Sequence, residues 1–187
     1  TPVWNEAELS ICKVDAETGE SQALGGADLA GAKMRVNYYA GYYETDNLPE
    51  VPERSWVLET KEEKGESDSA YVCRLDEAHL IEGDAFYMMN DQVILPLGTI
   101  TVEEIEAPKG YLLDGMQFLD ESGEVQEGRY LTQIRPDGDA AVLTGGNAHK
   151  ASDHVIRGDL ELIKIADGTH KRLSKVPFKI TSNTTGE

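Results

Sequence analysis

An all-β sandwich is the fold that this 187-residue sequence predicts. Three observations predict it. Short runs rich in β-branched and aromatic residues recur along the chain, clusters of turn-forming residues separate them, and only one stretch offers a plausible helical turn. Short strands punctuated in this way are the pattern of a sandwich.

The expected strands, in order, are Leu9 to Asp15, Lys33 to Tyr39, Ser55 to Thr60, Ala70 to Leu75, Ala85 to Asn90, Gly98 to Glu104, Arg129 to Arg135, Ala140 to Thr144 and His154 to Ile165. Glu-Thr-Gly (17 to 19) and Gly25-Gly26 close the first; Glu-Lys-Gly (63 to 65), Glu-Ser-Gly (121 to 123), Pro-Asp-Gly-Asp (136 to 139) and Gly145-Gly146-Asn147 mark later turns. Leu75 to Ile81 is the one helical turn expected. Leu9-Ser-Ile-Cys-Lys-Val14 is echoed by Leu160-Glu-Leu-Ile-Lys-Ile165, and Leu29-Ala-Gly-Ala-Lys-Met-Arg-Val36 by Leu173-Ser-Lys-Val-Pro-Phe-Lys-Ile180. An internal repeat of this kind divides the chain into a whole module, residues 1 to 157, and the first two strands of a second, 158 to 187. Two strands are marginal alone, so the fragment is expected to dock on the first module or to pair with another copy.

The net charge of -18 argues against phosphate-backbone binding, and nucleic acid is not an expected partner. With 40% hydrophobic residues the acidity reads as a solvated surface rather than disorder. No run approaches the roughly 20 apolar residues of a membrane span, and the first residues do not resemble a signal peptide. Lacking Met at position 1, the sequence reads as a piece excised from a longer protein. Cys12 and Cys73 are too few for a disulfide framework, and two thiols are expected rather than a bridge.

Alternation raises a chemical question. Leu9, Ile11 and Lys13 share one strand face, as do Leu160, Leu162 and Lys164, while Glu104 shares the apolar face of Ile100 and Val102. Lysine and glutamate are rarely buried without partners. A buried Lys13–Glu104 ion pair, or a lysine that snorkels outward, would account for the pattern.

Lys-Val-Asp-Ala-Glu-Thr-Gly (13 to 19), Leu-Ala-Gly-Ala-Lys-Met (29 to 34) and Gly-Thr-Ile-Thr-Val-Glu-Glu-Ile-Glu-Ala-Pro-Lys-Gly-Tyr (98 to 111) resemble the Cna B-type, or SpaA-like, domains of Gram-positive pilins and surface adhesins. The resemblance spans the first module and implies a prealbumin-like β-sandwich. It also implies a spontaneous amide between a first-strand lysine and a last-strand Asn or Asp, assisted by a glutamate. Carried over, Lys13 is the nucleophile and Glu104 the catalytic acid. Asp153 is the expected acceptor, with Asn147 in reserve and Asp159 after it; an Asp acceptor releases water, an Asn acceptor ammonia. The implied function is a structural spacer of an extracellular, cell-wall-attached adhesin or pilin-like protein, with neighbouring domains of the same protein as partners. No cofactor or metal is expected, and turnover catalysis is not.

A second reading is a glycan- or host-protein-binding module built on Asn37 to Asp46, where Tyr38, Tyr39, Tyr42 and Tyr43 interleave with polar residues. Against it, the same tyrosines would serve to cap a sandwich. His79, His149, His154 and His170 lack metal-ligand spacing. Asp137-Gly-Asp139 reads as a turn rather than a calcium loop, and Arg157-Gly158-Asp159 as a domain junction.

Overall fold

In the computed structural model the chain is all-β. The structure describes residues 4–5, 9–21, 28–66, 69–113, 117–119, 125–136, 150–153, 163, 168 and 172–179. The expected strand at Ala140 to Thr144, most of that at His154 to Ile165, Asn147, Asp159, Lys164 and most of the expected second module lie outside the described residues.

Two larger sheets carry the core. In chain order their strands are β2 (Ser10–Asp15), β3 (Lys33–Tyr39), β4 (Arg54–Glu59), β5 (Lys61–Lys64), β6 (Ser69–Arg74), β7 (Leu80–Gly83), β10 (Gly98–Glu106), β11 (Gln117–Leu119), β12 (Val125–Glu127), β13 (Arg129–Ile134) and β14 (Lys150–Asp153). One sheet has the order β13-β10-β3-β4-β7, the other β12-β11-β14-β2-β6-β5. A smaller sheet joins β1 (Trp4–Asn5), β9 (Gln92–Pro96) and β8 (Tyr87–Met89).

One buried cluster draws on both large sheets: Ile11, Cys73 and Phe118 from the six-stranded sheet, and Met34, Val36, Trp56, Leu58, Ile100, Val102 and Tyr130 from the five-stranded one. Alternation produces it. In β3, Met34, Val36 and Tyr38 are buried while Arg35 is exposed and Asn37 half-buried, as a strand with one face on the core requires. The arrangement is consistent with a β-sandwich.

The pairing differs from the sequence expectation in several places. Leu75 to Ile81 is not helical: Leu80 N–H donates to Asp76 O at 3.1 Å, closing a single turn, and Leu80 then enters β7 because its backbone pairs with Leu58. The run expected as Ala85 to Asn90 shortens to β8, and a hairpin returns it as β9. Asn90 and Asp91 both have positive φ, 52° and 61°, and they link Met89 to its partner Gln92. Two left-handed residues between paired strands make the mirror-image turn that suits strand twist. Glycine is demanded at Gly98, where φ is +156° and a Cβ would lie 2.4 Å from Tyr39 O.

Candidate functional site

Lys13 and Glu104 meet in the core. Lys13 belongs to β2, where Ile11, Lys13 and Asp15 alternate inward and all three are buried. Glu104 belongs to β10 of the opposite sheet, in line with Ile100 and Val102, and its backbone partner on β3 is the fully buried Met34. Lys13 Nζ lies 3.2 Å from Glu104 Oε1, and both side chains are wholly inaccessible to solvent. The contact therefore bridges the two sheets through apolar surroundings. After Glu106 the chain turns at Ala-Pro-Lys-Gly: Tyr111 N–H donates to Pro108 O at 3.0 Å, and Tyr111 is buried.

Asp153 occupies the last position of β14, a strand the sequence did not announce. β14 runs parallel to β2, with Ala151 opposite Lys13 and Asp153 opposite Asp15. Partners in a parallel ladder share a face, and so positions 151 and 153 fall on the face of Lys13. The antiparallel partner of Ala151 on the other side, Phe118 of β11, is buried, in agreement with that assignment. Lys13, Glu104 and position 153 are thus brought to one region by three strands distant in sequence.

One buried group there was passed over in reading the sequence. Asp15 is fully buried. Its Oδ1 accepts the backbone N–H groups of Glu17 and Thr18, each at 2.9 Å, while Oδ2 is buried with no hydrogen-bond partner among the described residues. The signal was present, because Asp15 is the next member of the Ile11, Lys13 alternation.

The tyrosine segment is largely enclosed. Tyr38 and Tyr39 are buried. Tyr38 Oη donates to Leu97 O at 2.8 Å, and burial, followed by the nearby Glu53 charge, pushes this phenol up to about 12. Tyr39 packs edge-on against Tyr43, whose backbone N–H donates to Thr99 Oγ1. Tyr42 alone of the four is exposed, and the Arg135 guanidinium covers its ring at 4.1 Å. Cys12 and Cys73 are not bonded to each other. Cys12 pairs with Val72 and Cys73 with Ile11, which puts the thiols on opposite faces of the sheet, and burial pushes the Cys73 thiol up.

His79 is buried with Nδ1 2.8 Å from Asp76 Oδ1. Among the described residues no three His, Cys, Asp or Glu side chains gather as metal ligands, and no helix is long and apolar enough to cross a membrane. No protein-family model matches the chain, and no curated protein matches it.

Proposed function

We propose that this chain is a structural spacer module of a Gram-positive cell-surface adhesin or pilin-like protein, a Cna B-type, prealbumin-like sandwich locked by a self-formed amide between Lys13 and Asp153. The observation that carries the reading is the wholly buried Lys13–Glu104 contact at 3.2 Å, formed where β2 runs parallel to the strand that holds Asp153. A buried ion pair kept for stability alone is a poor bargain, since apolar residues of similar volume often do as well or better. A reaction that needs an amine and two carboxyl groups in an apolar setting gives the same residues a purpose.

Burial disfavours the charged forms of amines and carboxylic acids alike, and the reaction requires a neutral amine facing a neutral acid. The Lys13 Nζ lone pair attacks Asp153 Cγ and the new N–C bond forms. The C–OH bond then breaks, and the hydroxyl leaves as water with a proton that originates on Nζ. Glu104 polarises the acceptor carbonyl and relays that proton, as general acid–base catalysis requires. Folding itself supplies the proximity, for which effective molarities on the order of 10⁵ M are attainable. Each molecule reacts once.

The product ties the first strand of the large sheets to the last, so tension along the chain passes through a covalent bond rather than through the core. That property suits a load-bearing stalk among neighbouring domains. A ligand-binding role for residues 37 to 46 has less behind it, because of the four tyrosines only Tyr42 is exposed. The decisive measurement is intact mass: the folded chain is expected to weigh about 18 Da less than its sequence, one water. A loss of about 17 Da moves the acceptor to Asn147, and an unshifted mass removes the reading.

A further inference from the structure

An aspartate acceptor poses a difficulty that an asparagine does not. Its carbon is electrophilic only while the carboxyl is protonated, so the site must hold a proton on Asp153 at a pH where an ordinary aspartate has lost it. Burial contributes, but a second feature lies directly beside the acceptor.

Asp15 is opposite Asp153 in the parallel β2–β14 ladder. It is fully buried, and its Oδ2 has no hydrogen-bond partner among the described residues. Both positions share the inward face of Lys13. We propose that Asp15 keeps the acceptor carboxyl at 153 in its protonated, reactive form. This inference rests on the Lys13–Asp153 reading.

The argument is electrostatic. Two carboxylates sharing a buried site cannot both ionise cheaply, so one retains its proton. The two backbone N–H donors to Asp15 Oδ1, from Glu17 and Thr18, offer a negative charge partners at position 15. The backbone of Asp15 is one strand spacing, about 4.8 Å, from that of Asp153, but two residues, about 6.6 Å, from that of Lys13 along its own strand. Lys13 Nζ is turned to Glu104 instead. A charge on Asp15 therefore disfavours an ionised acceptor more than it favours an ammonium on Lys13, and the balance moves toward the neutral amine and neutral acid that react. Among the described residues, the titratable groups on the inward face of the strands flanking β14 are Lys13 and Asp15 of β2, with Glu104 of β10 against Lys13; β11, on the far side of β14, carries none in Gln117–Leu119.

The test follows bond formation after unreacted, denatured chain from inclusion bodies is diluted into buffers between about pH 5 and pH 9, with the 18 Da loss read by mass spectrometry. Asp15→Asn keeps an oxygen for the Glu17 and Thr18 N–H groups but removes the charge. On the limb where the rate falls with rising pH, it is expected to move the fall about one unit lower and to slow the reaction about tenfold. The control is the same substitution with Asp153→Asn as acceptor, where the loss becomes about 17 Da and no proton need be held. There Asp15→Asn is expected to change the rate less than about twofold, because an amide acceptor has no carboxyl to ionise. Equal slowing with both acceptors would make Asp15 only a turn-forming residue, and no slowing with either would leave it without a role; both results overturn the proposal. Absence of mass loss in the unsubstituted chain would instead overturn the isopeptide reading itself.

Discussion

Replacing Lys13 by Met together with Glu104 by Leu isolates what the proposed Lys13–Asp153 link contributes. Both partners of the buried contact vanish at once, so neither leaves the other unpaired, and such paired apolar replacements are often neutral or better. What is lost is the closure of a loop of about 140 residues, from Lys13 to Asp153, which the chain-entropy treatment of cross-links values at roughly 5 kcal/mol. For a domain of this size, 1 kcal/mol corresponds to about 2–4 °C, so the double variant is expected to melt about 10–20 °C below the parent. Glu104→Gln should fall further, because it prevents the bond and leaves Lys13 buried without its carboxylate, at an additional cost of about 3–5 kcal/mol. Calorimetry on the three proteins, each with its mass recorded, gives the order parent, double variant, Glu104→Gln. A double variant melting within about 2 °C of a parent that has lost 18 Da would refute the loop-closure reasoning.

Glu104→Gln should also abolish the 18 Da loss, by removal of the proton relay, and a variant that still loses it would clear Glu104 of that role. Gly98→Ala puts a methyl group 2.4 Å from Tyr39 O at a φ of +156°; a loss of about 2 kcal/mol or more is expected from the urea midpoint. Under native conditions one thiol per chain should react with an alkylating agent: Cys12 is half-buried and Cys73 fully buried, so the second should react only on unfolding. The Arg74 guanidinium, hydrogen-bonded to Glu63, holds its carboxyl below the usual carboxylate range. The depressed folded-state value means that this pair's contribution is present above the unfolded pKa and lost as pH falls through the folded one. Arg74→Ala should return Glu63 to the ordinary range in an NMR titration while changing stability by less than about 1 kcal/mol, since both groups are solvent-screened.

The strands with strong β-formers were legible because burial and propensity agree there. Lys33–Tyr39 and Gly98–Glu106 carry their alternation in the residues themselves, and the inward aim of Lys13 and Glu104 followed from that alternation alone. Lys61–Lys64, Gln117–Leu119, Val125–Glu127 and Lys150–Asp153 were not legible. Lys-Glu-Glu-Lys and Lys-Ala-Ser-Asp are poor strand formers, and they are extended because a neighbouring strand offers a ladder. Register across the β2–β14 pair is likewise a non-local property, and so the juxtaposition of Asp15 with Asp153 could not be read from either segment. The Asn90-Asp91 hairpin was missed because its turn lacks the glycine that usually announces one.

The parallel course of β2 and β14 also governs how copies of such a module would be strung together. A chain that enters an antiparallel terminal pair leaves beside its point of entry, and successive units double back on one another. Here β2 and β14 run the same way along the shared ladder, so if such modules were joined in series, each would hand the chain on at its far side and the series would lengthen along a line. Without a covalent tie between the two strands, a pull on the two ends would load the rungs of that ladder together, in shear, rather than opening them one at a time from an end.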